Sequence, residues 1–275
     1  MEKMYLSAPL PFVGQKRMFA REYQKVLEQI KGVNVFVDLF GGSGLLSHIA
    51  KRQLPDATVI YNDFDGYRQR IKHIDRTNAL LGQFRELLHP VPRLKVLPES
   101  TKKRVLEIMA EEEATVGFVD YITLSTSLLF SMKYATSLED MRKQTMYNRI
   151  KRSDYCAEGY LDGLVLESCD YRVLFEKYKD RDDVAFLVDP PYLSTDVSTY
   201  NMNWKLSDYL DVLSVLVGHK YVYFTSNKSS IIELCDWLGR NQNIGNPFAS
   251  ATRNEFNASM NYNSRYTDIM LYNIA

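Results

Sequence analysis

The apolar run Ala185-Phe186-Leu187-Val188 stops at Asp189-Pro190-Pro191-Tyr192, a tetrapeptide whose groups could act on a planar amine. Two consecutive prolines remove two backbone N–H donors and cannot continue a central strand, so a strand must end there with its next carbonyls turned outward. Asp189 and the carbonyl of Pro190 are acceptors for the two hydrogens of an exocyclic amino group, and Tyr192 offers a ring face to a base. The tetrapeptide fits an aminopurine or aminopyrimidine site. It fits a rigid strand exit without chemistry about as well.

A second set lies near the N-terminus. Val33 to Phe40 reads as a buried strand, Gly41-Gly42-Ser43-Gly44 as a tight loop and Leu45 to Gln53 as a helix. Glycines there let a ligand approach the backbone, and the helix start offers N–H groups. Against the dinucleotide pattern G-x-G-x-x-G, Gly42 and Gly44 fit but the third position is Ser47, so a cofactor without phosphates is the better match. A further strand, Ala57 to Tyr61, ends at Asn62-Asp63, and Asp63 stands 25 positions after Asp38. An acid at about that offset commonly binds ribose hydroxyls.

The elements that must position these residues alternate. Strands near 33–40, 57–62, 163–168, 184–189, 220–226 and 266–273 are separated by helices near 16–30, 44–53, 170–178, 207–217 and 228–238, which predicts a doubly wound α/β sheet with parallel central strands. Asp38, Asp63, Asp170 and Asp189 all fall at carboxyl ends of strands, where such sheets bind ligands. Together they point to one site, although each alone could be a helix N-cap.

The middle of the chain departs from this alternation. Gly66 to Leu88, Ser100 to Glu113 and Val116 to Phe130 carry apolar residues at three- and four-residue spacing, including Leu80, Leu81, Phe84, Leu87, Leu88, Val105, Ile108 and Met109. This predicts a mainly helical insert, 67–159, between halves 1–66 and 160–275 of the α/β domain. Residues 66–155 hold 16 Lys and Arg against 11 Asp and Glu, a net +5 offset by −5 in the remainder. Ser137-Leu138-Glu139-Asp140 reads as the capped start of a helix displaying Arg142, Lys143, Arg149, Lys151 and Arg152, with Tyr147 and Asn148 among them. Such a mixture suits phosphates and base edges, though a solvated basic face would look similar.

Composition narrows the classes. At 275 residues, 45% hydrophobic and 25% charged, the chain can bury a full core and reads as an ordinary globular protein. No apolar run approaches the roughly 20 residues that cross a bilayer, and Met1 to Phe19 lacks a signal-peptide core, which predicts a cytoplasmic protein with no membrane partner. Cys156, Cys169 and Cys235 lack CxxC spacing, and His48, His73, His89 and His219 lack paired spacing. Neither a disulfide framework nor a metal site is expected.

In the order cofactor motif, insert, catalytic motif, Phe36-Val37-Asp38-Leu39-Phe40-Gly41-Gly42-Ser43-Gly44 followed by Asp189-Pro190-Pro191-Tyr192 resembles the Dam-type DNA adenine-N6 methyltransferases. Pro11-Phe12-Val13-Gly14-Gln15-Lys16 resembles that family's N-terminal motif, and Ser168-Cys169-Asp170-Tyr171 sits where the family often has an acid near the cofactor adenine. Tyr200-Asn201 with Trp204, Phe224-Thr225-Ser226-Asn227 and Thr267 to Asn273 resemble the later loop and strands. The resemblance covers about 9–66 and 163–273. One feature departs from it, because the hairpin and aromatic-rich segment of the GATC-reading members has no counterpart in Leu129 to Gly163.

The resemblance implies a Rossmann-like methyltransferase sheet carrying a DNA-recognition insert, S-adenosylmethionine as cofactor, and double-stranded DNA as partner. A monomer or weak dimer is expected, and the sequence leaves a restriction-modification, phage or regulatory setting open. Methyl transfer to the N6 of a flipped-out adenine would rest on Asp189, Pro190 and Tyr192, with the base against Tyr192 and Tyr200. The cofactor would lie among Phe12, Lys16, Asp38, Phe40, Gly42, Gly44, Asp63, Asp170 and Asp189, and DNA would meet Arg142, Lys143, Arg149, Lys151 and Arg152. Cytosine-N4 methylation uses the same acceptor geometry. A nicotinamide oxidoreductase would explain the glycine loop and Asp63 but not the proline pair, and a non-catalytic DNA-binding relative is the remaining alternative.

Overall fold

The computed structural model describes residues 3–130, 133–191, 205–227, 229–240, 246–261 and 264–274, with backbone alone at 206, 258–261, 264 and 265. The chain forms two compact units, one of Met1–Ser7, Gln15–Asp65 and Leu161–Ala275, the other of Ala8–Gly14 and Gly66–Tyr160. The short segment 8–14 therefore packs with the helical insert, although it lies in the N-terminal half of the sequence division.

In the first unit the strands are β1 (Val35–Asp38), β2 (Thr58–Asn62), β3 (Val165–Glu167), β4 (Val184–Val188), β5 (Lys220–Ser226), β6 (Thr252–Asn261) and β7 (Ser264–Asn273). The described helices, in chain order, are α1 (Ala20–Gln29), α2 (Leu45–Gln53), α3 (Tyr67–Lys72), α4 (Ile74–Leu87), α5 (Glu99–Val116), α6 (Tyr121–Leu128), α7 (Leu138–Lys143), α8 (Tyr171–Tyr178), α9 (Leu206–Leu216) and α10 (Ile231–Gly239). Helices α3 to α7 belong to the second unit.

The sheet order is β3-β2-β1-β4-β5-β7-β6. β1 pairs in parallel with both β2 and β4, and β4 in parallel with β5, as the intervening helices require. β1 and β4 are buried along their whole length, which explains their unbroken apolar runs. Strand order reverses between β1 and β4, so the glycine loop after β1 and the Asp189 turn after β4 flank the topological switch point. Beneath them Val37, Ile60, Phe186, Val188, Leu213, Tyr223 and Ile269 share one apolar cluster.

β7 runs antiparallel to β5, and β6 antiparallel to β7. β6 is the one described strand that the sequence pattern misses. Its residues Thr252, Arg253, Asn254, Glu255 and Asn257 are polar, and at the sheet edge it owes its strand conformation to pairing with β7 rather than to apolar alternation. Phe256 is the exception, its ring edge-on to Phe19 at 4.8 Å between centroids.

In the second unit Leu80, Leu81, Phe84, Leu88, Val105, Ile108 and Met109 form one buried cluster with Leu124, Leu128 and Met141, as the helical spacing predicts, and Leu87 packs against it. Ser137 caps α7, accepting the Asp140 N–H at 3.1 Å. The helix then ends at Lys143, so Arg149, Lys151 and Arg152 are not on it. This corrects the expectation of a single basic helix. Beyond Lys143 the backbone turns to antiparallel pairing, with Leu97 N–H on the Met146 carbonyl at 2.9 Å, Asn148 N–H on Lys95 at 2.9 Å and Leu94 N–H on Asn148 at 2.7 Å. Asn148 is buried, its amide donating to the carbonyls of Leu88 and Val91 rather than facing outward.

Candidate active site

The site grows from two strand ends. β4 delivers Asp189, and the Lys16 ammonium meets its Oδ2 at 2.7 Å, the two side chains only 8% and 18% exposed. The other oxygen, Oδ1, is buried without a hydrogen-bond partner among the described residues. An orphaned carboxylate oxygen costs stability unless a ligand satisfies it, so this atom marks where a donor is wanted. Burial pushes the Asp189 carboxyl up, Lys16 pulls it back, and Asp268 on β7 pushes it up again. Pro190, the next residue, is buried.

β1 delivers Asp38, which is fully enclosed and pushed up to about 7 by burial, with the charge of Asp189 adding to the rise. The Ser47 hydroxyl opposes this, donating to Asp38 Oδ2 at 2.6 Å, and the backbone N–H groups of Phe40 and Ser47 act in the same direction. Ser47 is the residue at the third glycine position of the dinucleotide pattern. It holds an acid of the protein itself at the start of α2, where a pyrophosphate would otherwise sit. Asp38 Oδ1, like Asp189 Oδ1, is buried and unpartnered among the described residues.

β2 supplies two residues whose roles the sequence did not reveal. Tyr61 directs its hydroxyl toward the Gly42 carbonyl at 2.8 Å and Asp63 Oδ1 at 3.0 Å, tying the glycine loop to the ribose candidate. Asn62, fully buried, donates to the carbonyls of Leu39 at 3.0 Å and Cys169 at 2.9 Å and accepts the Cys169 N–H at 3.0 Å. It thus links the segments after β1 and β3. A buried asparagine next to an acid at a strand end is the only sequence signal for this.

The remaining candidates divide. Gly42 and Gly44 lie in the loop, and Phe40 packs its ring against Tyr171 at 4.9 Å between centroids. Asp170 caps α8, accepting the Arg172 N–H at 2.8 Å, and pairs with the Arg172 guanidinium at 3.4 Å, so its oxygens already have structural work. Phe12 belongs to the second unit, edge-on to Tyr67 at 5.7 Å. Tyr192 and Tyr200, together with Asn201 and Trp204, lie outside the described residues. Among the basic candidates, Arg142, Lys143 and Arg152 are exposed, Lys143 pairing with Glu139 at 2.8 Å. Arg149 donates to the Leu129 carbonyl at 3.1 Å, and Lys151 donates to the carbonyls of Ser153 at 2.7 Å and Asp154 at 3.0 Å.

The first unit thus gathers acceptors. Asp38, Asp63 and Asp189 suit a ligand of hydroxyl, ammonium and amino donors with positive charge, and at the N-terminus of α2 the anion position belongs to Asp38. S-adenosylmethionine is a ligand of that description. No group of three or more His, Cys, Asp or Glu able to hold a metal occurs among the described residues, and no described helix is long and apolar enough to cross a membrane.

The whole chain also compares with known proteins. Over 280 aligned residues, 98% of this chain and 93% of the relative, it is 37% identical to a protein of Haemophilus influenzae described as "Putative methyltransferase". Residues 12–213, which include the glycine loop, the insert and the Asp189 turn, match the model of the D12 class N6 adenine-specific DNA methyltransferases. The seven-stranded sheet, with acids at the β1 and β4 ends, is consistent with a Rossmann-like methyltransferase fold, and the chain belongs to the D12 class N6 adenine-specific DNA methyltransferase family.

Proposed function

We propose that this protein transfers a methyl group from S-adenosylmethionine to the N6 amino group of an adenine rotated out of duplex DNA. The observation that carries the proposal is the orphaned Oδ1 of Asp189 beside its Lys16-paired Oδ2. When bound, S-adenosylmethionine supplies an electrophilic methyl group on a sulfonium. Adenine N6 is a poor nucleophile because its lone pair is delocalised into the ring. Asp189 Oδ1 and the Pro190 carbonyl would accept its two N–H groups, stabilise the positive charge that grows on nitrogen during attack, and fix the line of approach. Lys16 opposes the upward push that burial gives the Asp189 carboxyl and so favours its ionised, accepting form.

Asp38, Asp63, Gly42 and Gly44 are assigned to the cofactor, Asp63 to its ribose hydroxyls and Asp38 to its positively charged end, with Phe40 and Tyr171 as the neighbouring aromatic wall. Tyr192 and Tyr200, outside the described residues, are assigned to the target base on their aromatic chemistry. The deciding experiment incubates the protein with S-adenosylmethionine and mixed-sequence duplex DNA and analyses the nucleosides by mass. N6-methyladenine is expected; N4-methylcytosine as the product would replace the assignment, and no methylated base would remove it.

Cofactor binding provides a separate check. Asp63→Asn replaces charge-assisted hydrogen bonds by neutral ones, which should weaken S-adenosylmethionine binding about tenfold in calorimetry. Unchanged affinity would return Asp63 to the simple task of holding Tyr61.

The basic insert is the proposed DNA-contacting unit. Arg142, Lys143 and Arg152 are its exposed candidates, whereas Arg149 and Lys151 are engaged with main-chain carbonyls of the same unit. Neutralising the three exposed residues should weaken binding to all duplex sequences and make the log–log salt slope shallower by roughly 0.9 for each phosphate no longer neutralised, with cofactor affinity unchanged. An unchanged slope would place the duplex on another surface.

A further inference from the structure

Asn62 closes β2, and within the first unit its side chain is engaged on two other strand ends. The amide nitrogen donates to the Leu39 carbonyl after β1 at 3.0 Å and to the Cys169 carbonyl after β3 at 2.9 Å, and the amide oxygen accepts the Cys169 N–H at 3.0 Å. A buried asparagine thus places three of its four hydrogen-bonding sites on main-chain atoms. Both backbone polar groups of Cys169 are served by this one side chain. Tyr61 and Asn62 are successive strand residues, so they leave β2 on opposite faces. On one face the Tyr61 hydroxyl reaches the Gly42 carbonyl at 2.8 Å and Asp63 at 3.0 Å, and on the other Asn62 ties Leu39 to Cys169. The turn after β3 is also held at its far end, where Asp170 caps α8 by accepting the Arg172 N–H at 2.8 Å.

The sheet order β3-β2-β1-β4 sets the Cys169 turn, Asp63, the glycine loop and Asp189 in one row along the carboxyl ends of the strands. With the methyl group at Asp189 and the ribose at Asp63, the nucleobase lies beyond the ribose on the side of β3. From β4 to β3 is three strand spacings, about 14 Å. We infer that Asn62 is a positioning residue for the nucleoside half of the cofactor, holding the turn after β3 at a fixed distance from the loop after β1 and so setting the width of the cleft. This role rests on the proposed use of S-adenosylmethionine. Asn62 acts through the backbone it holds and not by touching the reacting atoms. A turn that is already ordered costs nothing to order on binding, whereas a loosened one must be fixed at the expense of affinity. The reacting groups sit two strands away at the end of β4, so the loss should fall on binding and leave the chemical step alone.

Wild-type protein supplies the first test, by amide NMR of the full-length chain with adenosine and L-methionine as separate probes. Saturating adenosine should slow hydrogen exchange at the Cys169 amide and move the Asn62 side-chain signals. L-Methionine, which lacks the nucleoside, should leave both unchanged. The second test is Asn62→Asp, which is nearly isosteric and keeps an acceptor for the Cys169 N–H but faces the Leu39 and Cys169 carbonyls without the two amide donors. It should raise KM for S-adenosylmethionine at least about tenfold and weaken adenosine by the same factor, while kcat at saturating cofactor stays within about threefold of wild type.

Adenosine that binds the wild-type protein without changing either signal overturns the role of Asn62. A folded Asn62→Asp variant with wild-type adenosine affinity overturns it too, as does one that loses kcat while KM stays put. If the variant does not fold, the wild-type measurement decides by itself. Failure of the underlying reading looks different: the wild-type protein then binds neither S-adenosylmethionine nor adenosine, and the role of Asn62 falls with the cofactor assignment.

Discussion

Asp189→Ala lowers methyl transfer at least about a hundredfold, the scale for losing one preorganised contact to charge developing in a transition state. The same substitution strands Lys16, whose side chain is 8% exposed and whose ammonium meets Asp189 at 2.7 Å. Leaving one member of a largely buried pair uncompensated costs about 3 kcal/mol, so the single variant should also unfold at a lower temperature. The double variant Lys16→Met with Asp189→Ala removes the stranded charge. It should regain most of the lost stability and none of the lost activity. Thermal unfolding and single-turnover transfer, measured side by side, separate the two effects; activity within threefold of wild type in either variant would end the assignment of Asp189 as the acceptor.

Gly41→Ala has the next largest expected effect, and its cause is steric. A Cβ at this position would stand 2.3 Å from the Tyr61 ring carbons Cδ2 and Cε2 and 2.7 Å from the Asn62 carbonyl oxygen. Rotating a side chain cannot relieve both, because one neighbour is main chain and the Tyr61 hydroxyl is engaged with the Gly42 carbonyl and Asp63. The loop must move off β2. Overpacking of this kind costs about 1–3 kcal/mol of stability, and displacing the Gly42–Tyr61–Asp63 connection should weaken S-adenosylmethionine binding more than tenfold. Calorimetry and thermal unfolding read the two losses independently. Wild-type affinity would mean that the loop position does not set the cofactor site.

Local signals were sufficient for the frame of this protein. Apolar runs at 33–40 and 184–189 read as strands because β1 and β4 are buried on both faces and need no polar alternation. The glycines after β1 and the prolines after β4 mark strand exits, since neither residue type continues a central strand. Helical spacing located the core of the insert, down to Leu80, Phe84, Val105 and Met109. Each of these properties belongs to a few adjacent residues, so it survives in the linear string. Asp38, Asp63 and Asp189 were legible as candidates for the same reason: the chain order of strands and helices places their termini at one end of a doubly wound sheet.

Only the tertiary structure decided what each of these groups touches. Lys16 on Asp189, Ser47 on Asp38, and Asn62 between the Leu39 and Cys169 carbonyls are pairings that appear when the sheet closes. Ser47 counted in the sequence only as a missing glycine, and Asp170 as an acid open to the cofactor or to a helix cap, of which the structure shows the cap of α8. The basic stretch after Ser137 looked helical because local charge and capping favour a helix. Pairing of 146–148 with 94–97 outweighed that preference after Lys143 and turned Asn148 inward. β6 is the converse case, a polar segment with little strand pattern that becomes a strand because β7 offers it a hydrogen-bonding edge. Local propensities amount to tenths of a kcal/mol per residue, whereas a buried carbonyl or carboxylate left without its partner costs about 1–3 kcal/mol. Distant partners therefore win wherever the two conflict, and a linear sequence does not display them.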